Sequence, residues 1–257
     1  MRTTIQAKLS QVCVKPLSMG AFLVGLCLSG LSAQAYIISD DFAGHALGAP
    51  LNGTITPTGN ATWVAGLYDF GFASSTGTGA SDYLAAGAWA TGYVGITTAA
   101  TDTVTLQLAI HPNSGWASMN MASVNSNYPA GITVAVSGGT VETGKCSVYL
   151  NQGGDEAFAF TSTAFSNFYD PIGRNLCIAE YNGSTNELSL WVNGVPLLTN
   201  QSLAPNQAPG IIRYAGGFFS TDGGSFDNFQ VSVVPEPATL ALLALGVLAL
   251  IRRDRRD

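Results

Sequence analysis

Charge is scarce in this chain. Only 10% of its 257 residues are Asp, Glu, Lys or Arg, against about 25% in an ordinary soluble protein. Cations are scarcer still, and seven of the ten lie in the first fifteen or last six residues. Between them, residues 36–234 hold only Lys145, Arg174 and Arg213 against thirteen acids, a net charge of −10. Such a surface repels nucleic acid and anionic lipid, so neither is an expected partner. Histidine is limited to His45 and His111, far apart, and the four cysteines include no C-x-x-C pair. Metal-ligand spacing of the zinc-site kind is therefore absent. So are a G-x-S-x-G nucleophile motif, a phosphate-cradling glycine loop and any amphipathic helical run. The Glu-x-Asp-x-x-Glu strand that places two glycosidase carboxylates on one face is missing too.

What the chain does have begins at its ends. Arg2, Lys8 and Lys15 precede an apolar run, Leu17 to Leu31, which is followed at once by Ala33-Gln34-Ala35. A basic start, a short apolar segment and an A-x-A site make residues 1–35 a secretory signal peptide, cut by signal peptidase after Ala35. The run is shorter than the ~20 residues a spanning helix needs. Cys27 follows Leu26, where lipidation requires Gly or Ala, so a lipoprotein is excluded.

At the other end Val234-Pro235-Glu236-Pro237 leads into an uncharged run, Ala238 to Ile251, and then Arg252-Arg253-Asp254-Arg255-Arg256-Asp257. Two prolines around Glu236 forbid a regular helix or strand there and leave the segment extended and open to a protease. As a helix the apolar run reaches roughly 21 Å, so it spans a membrane only with local thinning and snorkelling arginines. The arginines hold their end in the cytoplasm by the positive-inside rule. This order of motif, apolar segment and basic end resembles the PEP-CTERM sorting signal of Gram-negative, exopolysaccharide-producing bacteria. The resemblance implies export through the inner membrane, a transient anchor there, cleavage near Pro-Glu-Pro by an exosortase, and a final place at the cell surface or in the extracellular matrix. The alternative is a plain anchor that stays uncut.

The body, residues 36–233, is rich in Gly, Thr, Ser, Asn and Val. Short β-rich segments recur between turn clusters: 93–97, 103–110, 132–136, 146–150, 156–160, 176–181, 187–192 and 226–233. In Thr103 to Ile110, Val104, Leu106, Leu108 and Ile110 face one way while Thr105 and Gln107 face the other. Residues 176–199 read as strand, turn, strand, a tight Asn193-Gly194 hairpin, and a third strand. With Asp40-Asp41-Phe42-Ala43-Gly44 near the start and Ser225-Phe226-Asp227-Asn228-Phe229 near the end, this meander resembles the laminin-G-like, concanavalin-type jelly roll. The expected fold is an all-β, two-sheet antiparallel sandwich.

Two cysteines survive signal removal, Cys146 and Cys177, and an oxidising compartment makes a disulfide between them the expectation. Closing roughly 30 residues, it would stabilise by about 3 kcal/mol. Jelly rolls of this type often hold a structural Ca²⁺ between the terminal strands, which singles out Asp40, Asp41 and Asp227 as candidate ligands. No other cofactor is implied. Trp63, Tyr68, Tyr83, Trp89, Tyr93, Trp116, Tyr128 and Trp191 are candidates for sugar stacking or for the core. Glu180 and Glu187 flank one turn and are the nearest approach to a carboxylate pair. The reading is a non-enzymatic, exosortase-sorted surface or matrix protein with weak contacts to carbohydrate, exopolysaccharide among them, or to protein. The alternative is a divergent glycoside hydrolase on the same fold.

Overall fold

Alternation at period 2 is what the sequence offers most clearly, and it governs the architecture. The computed structural model describes residues 35–45, 51–64, 71–75, 80–82, 90–111, 116–123, 131–137, 145–150, 156–161, 170, 174–219 and 225–236. All lie in one unit, Gln34–Glu236. Among them are fifteen strands and no helix. The apolar stretches expected as signal peptide and membrane span, together with Tyr68, Tyr83, Trp89 and Tyr128, fall outside these residues. No helix among the described residues is long and apolar enough to cross a membrane.

The first sheet contains β1 (Tyr36–Asp40), β4 (Ala80–Asp82), β6 (Thr103–His111), β11 (Asn175–Asn182), β12 (Glu187–Val192), β13 (Val195–Ser202) and β15 (Ser225–Val234). Its order is β15-β6-β11-β12-β13, with β1 and β4 sharing the far edge of β15. The second sheet contains β2 (Trp63–Val64), β5 (Ala90–Gly95), β7 (Trp116–Ala122), β8 (Gly131–Ser137), β9 (Lys145–Leu150), β10 (Glu156–Thr161) and β14 (Tyr214–Phe219). It runs β5-β14-β7-β8-β9-β10, with β2 on β5. Between them β3 (Gly71–Ser75) pairs antiparallel with β4 and parallel with β5. Every other pairing is antiparallel, as the jelly-roll reading expected.

The inward rows carry the core. Leu108 stands beside Cys177, Leu106 beside Ala179 and Val104 beside Tyr181, and all six are at most 1% exposed. Burying a side chain such as Leu106 contributes about 1.5–3 kcal/mol, which makes a slip of one residue untenable. Asn193 and Gly194 both have positive φ, 49° and 81°, the left-handed pair that a two-residue hairpin between twisted strands requires. A bulge in β15 between Asp227 and Gln230 puts Asn228 at φ 51°. That extra residue lets Asp227 share the outer face with Gln230 while Phe229 turns inward.

Two strands escape the sequence pattern. Along β7 every residue after Trp116 is buried, so Ala-Ser-Met-Asn-Met shows no alternation. In β14, Gly216 and Gly217 sit where a Cβ would lie 2.0 Å from the Gly92 carbonyl oxygen and 2.5 Å from the Phe226 ring, respectively. Glycine weakens a strand signal, yet here the close approach of neighbouring backbone and ring demands it.

The disulfide expected between Cys146 and Cys177 is not formed in this structure. Cys146 lies on β9 of the second sheet and Cys177 on β11 of the first; both thiols are fully buried and free. Burial, aided by the Glu156 charge, pushes the Cys146 thiol up to about 12. Burial, with Cys146 adding to it, pushes Cys177 well above the ordinary thiol value.

Candidate functional site

The outward residues of the first sheet make a row across six strands. Ser39 lies beside Gln230, Gln230 beside Gln107, Gln107 beside Ile178, Ile178 beside Trp191, and Trp191 beside Pro196. At a strand spacing of ~4.8 Å the row is about 24 Å long. Five of its members are half-buried and Pro196 is exposed, so solvent reaches the whole strip. Its Ile178–Trp191–Pro196 end is apolar, and its Ser39–Gln230–Gln107 end is hydroxyl and amide.

The polar end is sunk into a groove. The segment after β1 returns so that Ser39 and Thr58 exchange backbone hydrogen bonds of 3.3 Å, which raises Pro57 and Thr58 as a wall beside the sheet. With Asp41, Asn228 and Leu176 these residues enclose about 350 Å³ above Gln107 and Gln230. Among the described residues, neither glutamine amide and no Asn228 side-chain atom has a hydrogen-bond partner in the protein. Each amide offers two N–H donors and one carbonyl acceptor to whatever enters. The residues lining the groove include no Lys, Arg or His.

One side of the groove is held by a buried carboxylate. Asp40 Oδ1 accepts the Phe42 backbone N–H at 2.8 Å. Its Oδ2 accepts from His45 Nε2 and from Trp63 Nε1, each at 2.8 Å. Beneath these bonds Phe42, Trp63, Phe226 and Phe229 pack with ring centroids 4.8–5.9 Å apart. The constellation ties β1, the turn after it and β2 into one clasp.

The three acids expected as calcium ligands are each engaged within the protein. Asp40 spends both oxygens on the clasp, and Asp41 Oδ1 caps the Ala43 N–H at 3.1 Å. Asp227 accepts from Arg174 Nη1 and from its neighbour's backbone, Asn228 N, at 2.7 Å. Among the described residues no group of three or more His, Cys, Asp and Glu is arranged to hold a metal ion. The bulge that moves Asp227 to the outer face separates it from inward-facing Asp40. Glu180 and Glu187 stand diagonally, opposite Ser189 and Asn182, and accept from the Thr105 and Thr185 hydroxyls at 3.3 and 3.0 Å.

Of the aromatic candidates, Trp63 and Tyr93 are core residues, 0% and 3% exposed. Trp116 meets Phe218 edge-on at 5.0 Å. Trp191 alone of the four described candidates belongs to the outer row. Sequence reading did not single out Gln107 and Gln230; the hint was a glutamine facing outward in an otherwise β-branched and aliphatic strand.

The last ladder pair of β15 is Val234 with Thr103, and Pro235 and Glu236 follow it immediately. Residues 233–256 match the PEP-CTERM protein-sorting motif. The chain ends in a PEP-CTERM sorting signal. A PEP-CTERM signal directs export and membrane-anchored sorting in Gram-negative bacteria, with processing by an exosortase. No curated protein sequence matches this chain. Its body is similar in backbone course to the Emp47p carbohydrate recognition domain, at 12% identity and a TM-score of 0.43, over 77% of this chain and 97% of that one. It is similar also to the carbohydrate-binding module CBM66 from Bacillus subtilis, at 9% identity and TM-score 0.49, over 72% and 99%. A third likeness is to a sialidase, at 10% identity and TM-score 0.41, over 76% of this chain and 18% of that one. At these identities and scores the likenesses bring no ligand or activity with them.

Proposed function

We propose that the protein is a non-enzymatic glycan-binding module, freed of its signal peptide by signal peptidase, processed by an exosortase and retained at the cell surface or in the surrounding exopolysaccharide. The observation that carries this reading is the outer row, with two unpartnered glutamine amides in a groove and, beside them, an apolar Ile178–Trp191–Pro196 strip that is half-buried at the first two residues and exposed at the third. Sugars present alternating faces of C–H and hydroxyl groups. A tryptophan supports the first, and planar amides, which donate and accept at once, satisfy the second. Concave sites with a few fixed polar groups beside apolar area are the usual form of a small-ligand site. The acidic, cation-poor body keeps the module soluble and off anionic lipid once its tail is removed.

Calorimetric titration of the full chain in detergent against a panel of oligosaccharides tests the reading. At least one should bind, and Trp191→Ala should weaken it about thirtyfold, the ~2 kcal/mol typical of a truncated hot-spot tryptophan. A panel without a binder, or a Trp191→Ala protein that binds like the parent, refutes it.

A further inference from the structure

The charge of the groove narrows the class of glycan. We propose that it selects an amino sugar carrying a protonated amine, seated against Asp41 between Gln107 and Gln230; this rests on the glycan-binding reading above. Asp41 is exposed at the groove wall, and its Oδ1 is used by the Ala43 N–H. Its Oδ2 has no protein donor among the described residues. An ammonium group brings three donors and no acceptor, so it needs a site rich in acceptors. The Asp41 carboxylate, the two glutamine carbonyls and the Ser39 and Thr58 oxygens line one groove and supply them.

A uronic acid meets the opposite situation. Its carboxylate would require a cation, and the groove contains none. Arg174 is engaged by Asp227, the residue next to Asn228. Lys145 is paired with Glu156 on the second sheet at 3.0 Å. The net charge of −10 over residues 36–234 adds a long-range field that draws cations and repels acidic chains, and salt weakens it.

The test is titration of the full chain in detergent with three probes of equal length: a glucosamine oligomer, its N-acetylated counterpart and a galacturonate oligomer. The glucosamine oligomer should bind at least fivefold more tightly than either of the others, and raising the salt should narrow the gap. Asp41→Asn keeps an oxygen for the Ala43 N–H and removes the charge. It should weaken glucosamine binding about fivefold, as expected of an exposed ion pair, and leave the N-acetylated oligomer unchanged. Gln107→Ala, with Gln230→Ala as its duplicate, should weaken both. Equal binding of the first two probes, an Asp41→Asn protein that behaves as the parent, or tightest binding of galacturonate overturns the amine proposal and leaves a glycan module standing. Failure of all three probes to bind, or indifference of binding to both glutamine variants, overturns the groove itself.

Discussion

Replacing Asp40 with alanine should be among the most damaging single changes in the body. Its carboxylate is fully buried and accepts from three donors, Phe42 N, His45 Nε2 and Trp63 Nε1, each at 2.8 Å. Phe42 and Trp63 are themselves 0% exposed, so neither the amide nor the indole N–H finds water when the acceptor disappears. Each orphaned donor costs about 1–3 kcal/mol. His45, with a side chain 10% exposed, can turn to solvent and adds little. Relief from burying a carboxylate offsets part of this, so a net loss of about 3–5 kcal/mol is expected, the scale of a broken buried polar network. Against a typical stability of 5–15 kcal/mol that is a large share. Asp40→Asn keeps the volume but turns an amino group toward donors, and should lose about half as much. Urea titration of residues 36–234, followed by far-UV circular dichroism, reads the loss as a fall in midpoint at constant slope. Trp63→Phe completes a double-mutant cycle, with an expected coupling of about 1.5–3 kcal/mol for a hydrogen bond to a charged group. An Asp40→Ala loss below about 1 kcal/mol, or strict additivity in the cycle, would refute the clasp.

Other consequences are as direct. Gly217→Ala should lose about 1–3 kcal/mol on the same assay, since its new methyl would stand 2.5 Å from a Phe226 ring wedged among Phe42 and Trp63; an unchanged midpoint would mean the sheets are not locked there. Cys146 and Cys177 should resist alkylation in the folded protein and react together on unfolding, because only the thiolate is nucleophilic and burial suppresses it in both. Their raised folded values also fix a sign: their contribution to stability is full below the ~8.5 of an unfolded thiol and is lost as pH rises toward the folded value of Cys146, about 12. Cys146→Ser/Cys177→Ser should flatten that alkaline limb, and a limb that persists unaltered assigns it to other groups. Replacing Pro235, Glu236 and Pro237 by alanine leaves every ladder pair of β15 in place, since the last is at Val234, so export should continue while full-length protein accumulates in the membrane fraction. Normal release of that variant would make the tail a plain anchor.

Local sequence carried the C-terminal sorting motif and most of the strands because both are written in one-dimensional patterns. A Pro-Glu-Pro motif, an uncharged run and an arginine cluster have their meaning in order alone. Thr103–His111 alternates so regularly that its inward and outward faces can be assigned before any partner is known, and Asn193-Gly194 demands a hairpin through its own backbone preferences. Where both faces are covered, as in β7, or where glycine is required by a neighbour, as in β14, no such signal exists.

What lay beyond the sequence was adjacency between distant segments. Asp40, Asp41 and Asp227 look like one set of calcium ligands on paper. A single extra residue in β15 turns Asp227 outward to Arg174, while Trp63 and His45 claim Asp40. Cys146 and Cys177 both sit in strands, but a sandwich has two layers, and these strands fall in different ones. The row from Ser39 to Trp191 draws on five different strands separated by as many as 190 residues between Ser39 and Gln230 by numbering, so no window along the chain contains it. Pattern determines which face a side chain occupies; only the pairing of strands determines whose side chains it stands beside, because register is settled by the burial of whole faces at once.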